Sequence, residues 1–173
     1  MLLLEILTIM VLLLIFLQDM LSRSVYWFLF PALAGLLIGV RLQHEPVVEL
    51  GRSTLLNLGL LLLQLLAITV YFSLKNRKWI NITRHLLGLG DLLFLCCITF
   101  YLSVLNYLFF YITSLLFALL AWQLWRWLSS KKGLHIPLAG LQAFTLSLFL
   151  ISDWCYGFFD LTNDTWLLHY MIK

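Results

Sequence analysis

The chain has 173 residues, 63% of them hydrophobic and only 11% charged, with a mean hydropathy of +1.00. Average soluble domains are roughly 45–50% apolar and about 25% charged, so an ordinary water-exposed domain is excluded, as is disorder, which needs low hydrophobicity and high net charge. The net charge of +3 is too small to point to nucleic acid, and the length suggests one domain.

A membrane-crossing helix needs about 20 mostly apolar residues. The first candidate covers residues 2–18. It carries Glu5 and has neither a basic leader nor a small-residue cleavage site, so it reads as a retained helix. The second covers 25–40 and contains Pro31 and Gly35, which membrane helices tolerate. A polar stretch from Arg41 to Arg52 leads to the third, 53–74. The most basic loop follows, with Lys75, Arg77, Lys78 and Arg84. The fourth candidate covers 88–104. A break at Asn106 and Tyr107 separates it from the fifth, 108–127. The turn from Ser129 to Gly133 precedes the sixth, 136–151. The tail mixes Asp160, Asn163 and Asp164 with Trp154, Phe158 and Trp166 and reads as an interfacial aromatic-rich segment. The expected fold is an all-α polytopic membrane protein with six transmembrane helices in residues 1–155 and a tail over 156–173.

Six spans put Arg23, Lys75, Arg77, Lys78, Arg84, Arg126, Lys131 and Lys132 on one side, against Arg41, Arg52 and Lys173 on the other. The positive-inside rule turns the first group to the cytoplasm of a cytoplasmic (inner) membrane protein. The basic loop of residues 75–84 serves as this topology signal or as a hold for anionic lipid headgroups or a substrate flank. Cys96 and Cys97 are adjacent in an apolar run and Cys155 stands alone, so neither a disulfide framework nor a structural zinc site is indicated. His85 and His135 have no ligand-spaced partner, and His44 and His169 read as loop residues on the far side. No Ser–His pairing or GxSxG motif points to a serine protease.

Ionisable groups at the edge of a membrane span are functional suspects. Asp19 closes span one and Asp91 opens span four, both at the cytoplasmic end. Two carboxylates at a matching depth that meet in the bundle cannot both ionise, so they share a proton and titrate as a pair. One then serves as general base toward water while the other donates to a scissile carbonyl. Each residue also has a plainer reading. Asp91 fits a helix cap, and Asp19 lies four residues before Arg23, at ion-pair spacing. Asp153 ends span six at the opposite face, away from the pair.

At these residues the chain resembles the type IV prepilin peptidases and archaeal preflagellin peptidases, membrane aspartyl proteases with a GxGD motif. Gly88-Leu89-Gly90-Asp91 matches GxGD as written. Asp19 to Val25 is similar to the family's first motif, with Arg23 and Val25 in register, and Ile136-Pro137-Leu138-Ala139-Gly140 is similar to the motif before its sixth helix. The order holds over residues 1–155. The chain departs from the family at Leu93, where Lys is common, and at Tyr26, where Pro is common. A stretch from Ser73 to Asn81 also looks like the first motif, with Ser73 in place of its Asp. Asp19 is preferred because two whole spans then lie between the motifs.

The resemblance implies a GxGD-type bundle whose catalytic residues are Asp19 and Asp91, with Arg23 in a supporting place. The substrate implied is a hydrophobic-helix peptide such as a prepilin-like precursor, extended at the cytoplasmic membrane edge. Gly88 and Gly90 either let the backbone approach that substrate or simply cap and bend a loop. The cytoplasmic insert with paired cysteines of the bifunctional members is missing, so no methyltransferase activity and no cofactor is implied. Partners are then the peptide and membrane lipid, without nucleic acid. Two readings compete: a non-catalytic membrane protein (a degenerate peptidase or an assembly factor), and a small transporter, which would need polar residues at midplane depth.

Overall fold

The computed structural model describes residues 2–76, 88–128, 137–157 and 160–171. Arg77, Lys78, Arg84, His85, Lys131, Lys132, His135, Ile136, Phe158 and Lys173 lie outside the described residues. Within them the chain is helical, with no strand. Its helices are α1 (Leu2–Ser22), α2 (Leu29–Arg41), α3 (Val47–Asn76), α4 (Leu89–Ile98), α5 (Val104–Leu128), α6 (Leu138–Tyr156) and α7 (Thr165–Met171). Four stretches, Leu2–Ser22, Val47–Lys75, Val104–Trp127 and Leu138–Cys155, are long and apolar enough to cross a membrane. The two others in the expected series, Leu29–Arg41 and Leu89–Ile98, are shorter apolar helices.

α1 buries Thr8, Leu12, Ile15 and Asp19, a stripe spaced by four, three and four residues that defines one helix face. That face lies against α6 and α2. The helix ends where Arg23 takes a left-handed φ of 53° and its N–H bonds back to the Asp19 carbonyl at 3.0 Å. Gln18 fixes the turn that follows, because its Oε1 accepts the Tyr26 N–H at 3.1 Å. Pro31 falls in the first turn of α2, where a missing N–H costs no helical bond. From there Phe30, Leu33, Leu37 and Val40 run down the core beside Phe94, Leu95 and Ile98 of α4.

α4 is ten residues long, about 15 Å at 1.5 Å per residue, and α2 is little longer, against roughly 30 Å of bilayer hydrocarbon. The break between spans four and five lies over residues 99–103, not at Asn106 and Tyr107 as the sequence suggests. Thr99, Phe100 and Tyr101 tighten into a turn through N–H bonds to the carbonyls three residues back. Irregular backbone at this depth must have its polar groups satisfied by protein. Asn57 of α3 gives its Nδ2 to the carbonyls of Leu102 (2.7 Å) and Thr99 (3.3 Å). Arg41, only 2% exposed, reaches the Phe100 carbonyl with Nη1 at 3.4 Å.

Asn106 lies inside α5, completely buried, with Nδ2 within bonding distance of Ser103 Oγ and the carbonyls of Asp160, Leu161 and Asn163. The tail is thereby stitched to the bundle: Leu161 is 1% exposed and its carbonyl takes the Ser103 N–H at 3.1 Å. His169 stands in helix α7, not in a loop.

Candidate active site

The start of α6 is the place where the distant segments meet. Pro137 precedes the helix, and the first backbone N–H groups of any helix have no partner within it. The Gly140 N–H donates to Asp19 Oδ2 at 2.6 Å, across 121 residues of chain. The Asp91 carboxylate lies beside the N–H of the preceding residue, Ala139. Both carboxylates therefore lie at the first turn of α6, Asp19 bonded to the Gly140 N–H and Asp91 beside the Ala139 N–H. The two acids are near enough for the charge of Asp19 to be felt at Asp91. A helix N-terminus favours negative charge, which offsets part of the cost of taking both acids away from water.

The two acids are not equivalent. Asp19 sits on the buried stripe of α1 and is 8% exposed. Asp91 is half-buried in the first turn of α4, and its Oδ2 also accepts the Gly88 N–H at 3.2 Å. It caps its own helix in that bond, so the plainer reading of Asp91 is realised together with its approach to Asp19.

Gly140 makes the approach of α1 to α6 possible. A Cβ placed there would lie 2.9 Å from Asp19 Cβ, 3.1 Å from its Oδ2 and 3.2 Å from the Phe16 carbonyl oxygen. The contact is flanked by the rings of Phe16 and Phe144, with centroids 5.1 Å apart. Gly90 has a smaller duty, since a Cβ there would meet only Phe30 Cζ at an ordinary 3.7 Å. Gly88 takes an extended φ of −65° that any residue adopts, and a Cβ there would meet Asp91 Oδ2 at 3.2 Å.

Arg23 does not pair with Asp19. It is exposed, beyond the last turn of α1, and the ion pair among the described residues is Arg41–Glu45 at 2.8 Å. The left-handed backbone at Arg23 ends the helical register on which the four-residue spacing relied. Asp153 lies 14 residues past Ala139 on α6, roughly 21 Å along the axis at 1.5 Å per residue. It approaches Tyr101, whose hydroxyl lies 3.5 Å from Asp153 Oδ2 and accepts the Trp154 indole N–H at 3.1 Å.

The sequence pointed to both acids but not to the Ala139 and Gly140 amides beside them. The signal available was Pro137 followed three residues later by Gly140, a helix start with a residue stripped of its side chain in the first turn. Comparison with protein-family models, with curated proteins and with solved structures finds no match to this chain.

Proposed function

We propose that the protein is a membrane-embedded aspartyl endopeptidase of the prepilin peptidase type, with six membrane-inserted helices and Asp19 and Asp91 as its catalytic pair. The observation that carries the proposal is that Asp19, bonded to the Gly140 N–H, and Asp91, beside the Ala139 N–H, come together at the start of α6. Two carboxylates brought together share one proton. The ionised member takes a proton from water as the water oxygen attacks the scissile carbonyl, and the protonated member gives its proton to the carbonyl oxygen. The substrate is a peptide extended at the cytoplasmic edge of a hydrophobic helix, such as a prepilin-like precursor, and the site faces the cytoplasm from the inner membrane. Both Asp→Asn variants are expected to fold and to lose cleavage of a co-expressed precursor by about 10²–10⁴-fold. Undiminished processing by either variant ends the proposal.

The second reading is a non-catalytic membrane protein, an assembly factor or degenerate peptidase. It has its own observation: Asp19 and Asp91 satisfy backbone donors at the starts of α6 and α4, a purely structural duty. The two readings part in a pH profile. A pair that needs one acid protonated and one ionised loses activity toward low pH, where no base remains, and toward high pH, where no acid remains. A precursor left uncut at every pH sides with the structural reading.

A further inference from the structure

A second polar site lies at the opposite end of the bundle from the two aspartates, and the proposed hydrolysis does not use it. It is a cavity of about 420 Å³ between the end of α2, the first turns of α3, the start of α5 and the segment before α7. That volume falls in the roughly 300–1,000 Å³ range of small-molecule sites. Its lining includes Arg41, Glu45, Glu49, Arg52, Ser103 and Asp164.

The charges of the lining are not all spent. Arg41 is 2% exposed, binds Glu45 through Nε and the carbonyls of Phe100 and Leu102 through Nη1, and has no protein partner at Nη2 among the described residues. Arg41 lines the cavity, so Nη2 is left to donate to a group that enters it. Asp164 Oδ1 is committed to the Ser103 hydroxyl and the N–H groups of Leu105 and Asn106. Arg52 and Glu49, both exposed, make no ion pair among the described residues. One cationic and one anionic side chain on the first turns of α3 thus line the same cavity as Arg41, whose Nη2 has no protein acceptor among the described residues. Charged residues that flank an apolar helix sit at the depth of lipid headgroups.

We infer that this cavity binds a zwitterionic phosphodiester headgroup, its phosphate on Arg41 Nη2 and Arg52 and its ammonium on Glu49. A lining of Arg41 and Arg52 against Glu45, Glu49 and Asp164 repels a ligand that is only anionic and accepts one that carries both signs. The chemistry is that of an ethanolamine phospholipid or of free phosphoethanolamine. The site and its occupancy are independent of cleavage by Asp19 and Asp91.

The test uses the full-length protein in detergent, with native mass spectrometry counting bound dihexanoyl phosphatidylethanolamine or dihexanoyl phosphatidylglycerol. The ethanolamine lipid is expected to bind about fivefold more tightly than the glycerol lipid, the size of one partly exposed charge contact. Arg52→Gln weakens both lipids by a similar factor. Glu49→Gln weakens the ethanolamine lipid alone and erases the preference. Both substitutions lie at exposed positions and spare the Arg41 network. Competition by free phosphoethanolamine supports recognition of the headgroup itself, and competition only by the intact lipid supports the membrane as its source. Equal binding of the two lipids to the unaltered protein overturns the inference. So does inorganic phosphate that competes as well as the ethanolamine lipid, or a Glu49→Gln variant that keeps the preference.

Discussion

Gly140 lies where two helices and a carboxylate compete for one small volume. Adding a methyl group puts it 2.9 Å from Asp19 Cβ and 3.2 Å from a backbone oxygen of α1, neither of which a rotamer change moves away. Gly140→Ala is therefore expected to push α1 from α6, break the 2.6 Å bond to Asp19 and cost about 1–3 kcal/mol, as overpacking does. Gly90→Ala is the control, because its Cβ meets Phe30 at 3.7 Å and a helical Gly→Ala change gains roughly 0.5–1 kcal/mol. Thermal unfolding in detergent should separate the two variants in opposite directions, and equal midpoints refute the close-packing argument. Asp19 and Asp91 stood out in the sequence because an ionisable group at the edge of an apolar run is a functional suspect, even beside its plainer readings as a cap or an ion-pair partner. The Ala139 and Gly140 donors did not, because every non-proline residue carries the same N–H. Arg23 misled because i,i+4 spacing has meaning only while the helix continues, and its φ of 53° marks where the helix has ended.

At the scale of elements, the short α4 and the turn after it depend on parts borrowed from elsewhere. The α5 N-terminus is capped by Asp164, which is remote in sequence and accepts the Leu105 and Asn106 N–H groups at 3.1 and 3.3 Å. A local reading of the chain finds Asn106 as a polar break in an apolar run and places the turn there. The amide instead belongs to the first helical turn and gathers three tail carbonyls, a role visible only once residues 160–164 are folded over it. Asp164→Ala removes the cap and one anchor of the tail together. The expected loss is about 0.5–2 kcal/mol, the usual range for a helix cap. Faster hydrogen exchange at the Leu105 and Asn106 amides is the local readout. Unchanged exchange at those amides would mean that the cap does not hold them in solution.

The whole molecule separates two polar ends by an apolar middle. α1 and α4 bring Asp19 and Asp91 to one end, and Arg41, Arg52, Ser103 and Asp164 gather at the other. α3 joins the bundle through Thr54, Asn57 and Leu61, and no described side chain beyond Leu61 on that helix is buried, so its later turns present leucines outward as a lipid-facing helix does. The hydropathy of the chain made the series of apolar helices legible, but not that α4 stops short, since the carbonyls of the turn that ends it are taken by Asn57 and Arg41 from other helices and not marked by a change in composition. The proposed orientation has a direct test in a variant freed of Cys96, Cys97 and Cys155. Single cysteines at the exposed Ser22 and Leu89 should react with an impermeant maleimide from the cytoplasmic side, and cysteines at the exposed Gln43 and Asn163 from the other. The pairing of Ser22 with Leu89 is the decisive part. Each lies within three residues of one of the two acids, so reaction from opposite sides would hold Asp19 and Asp91 a membrane's thickness apart, beyond the reach of any shared proton.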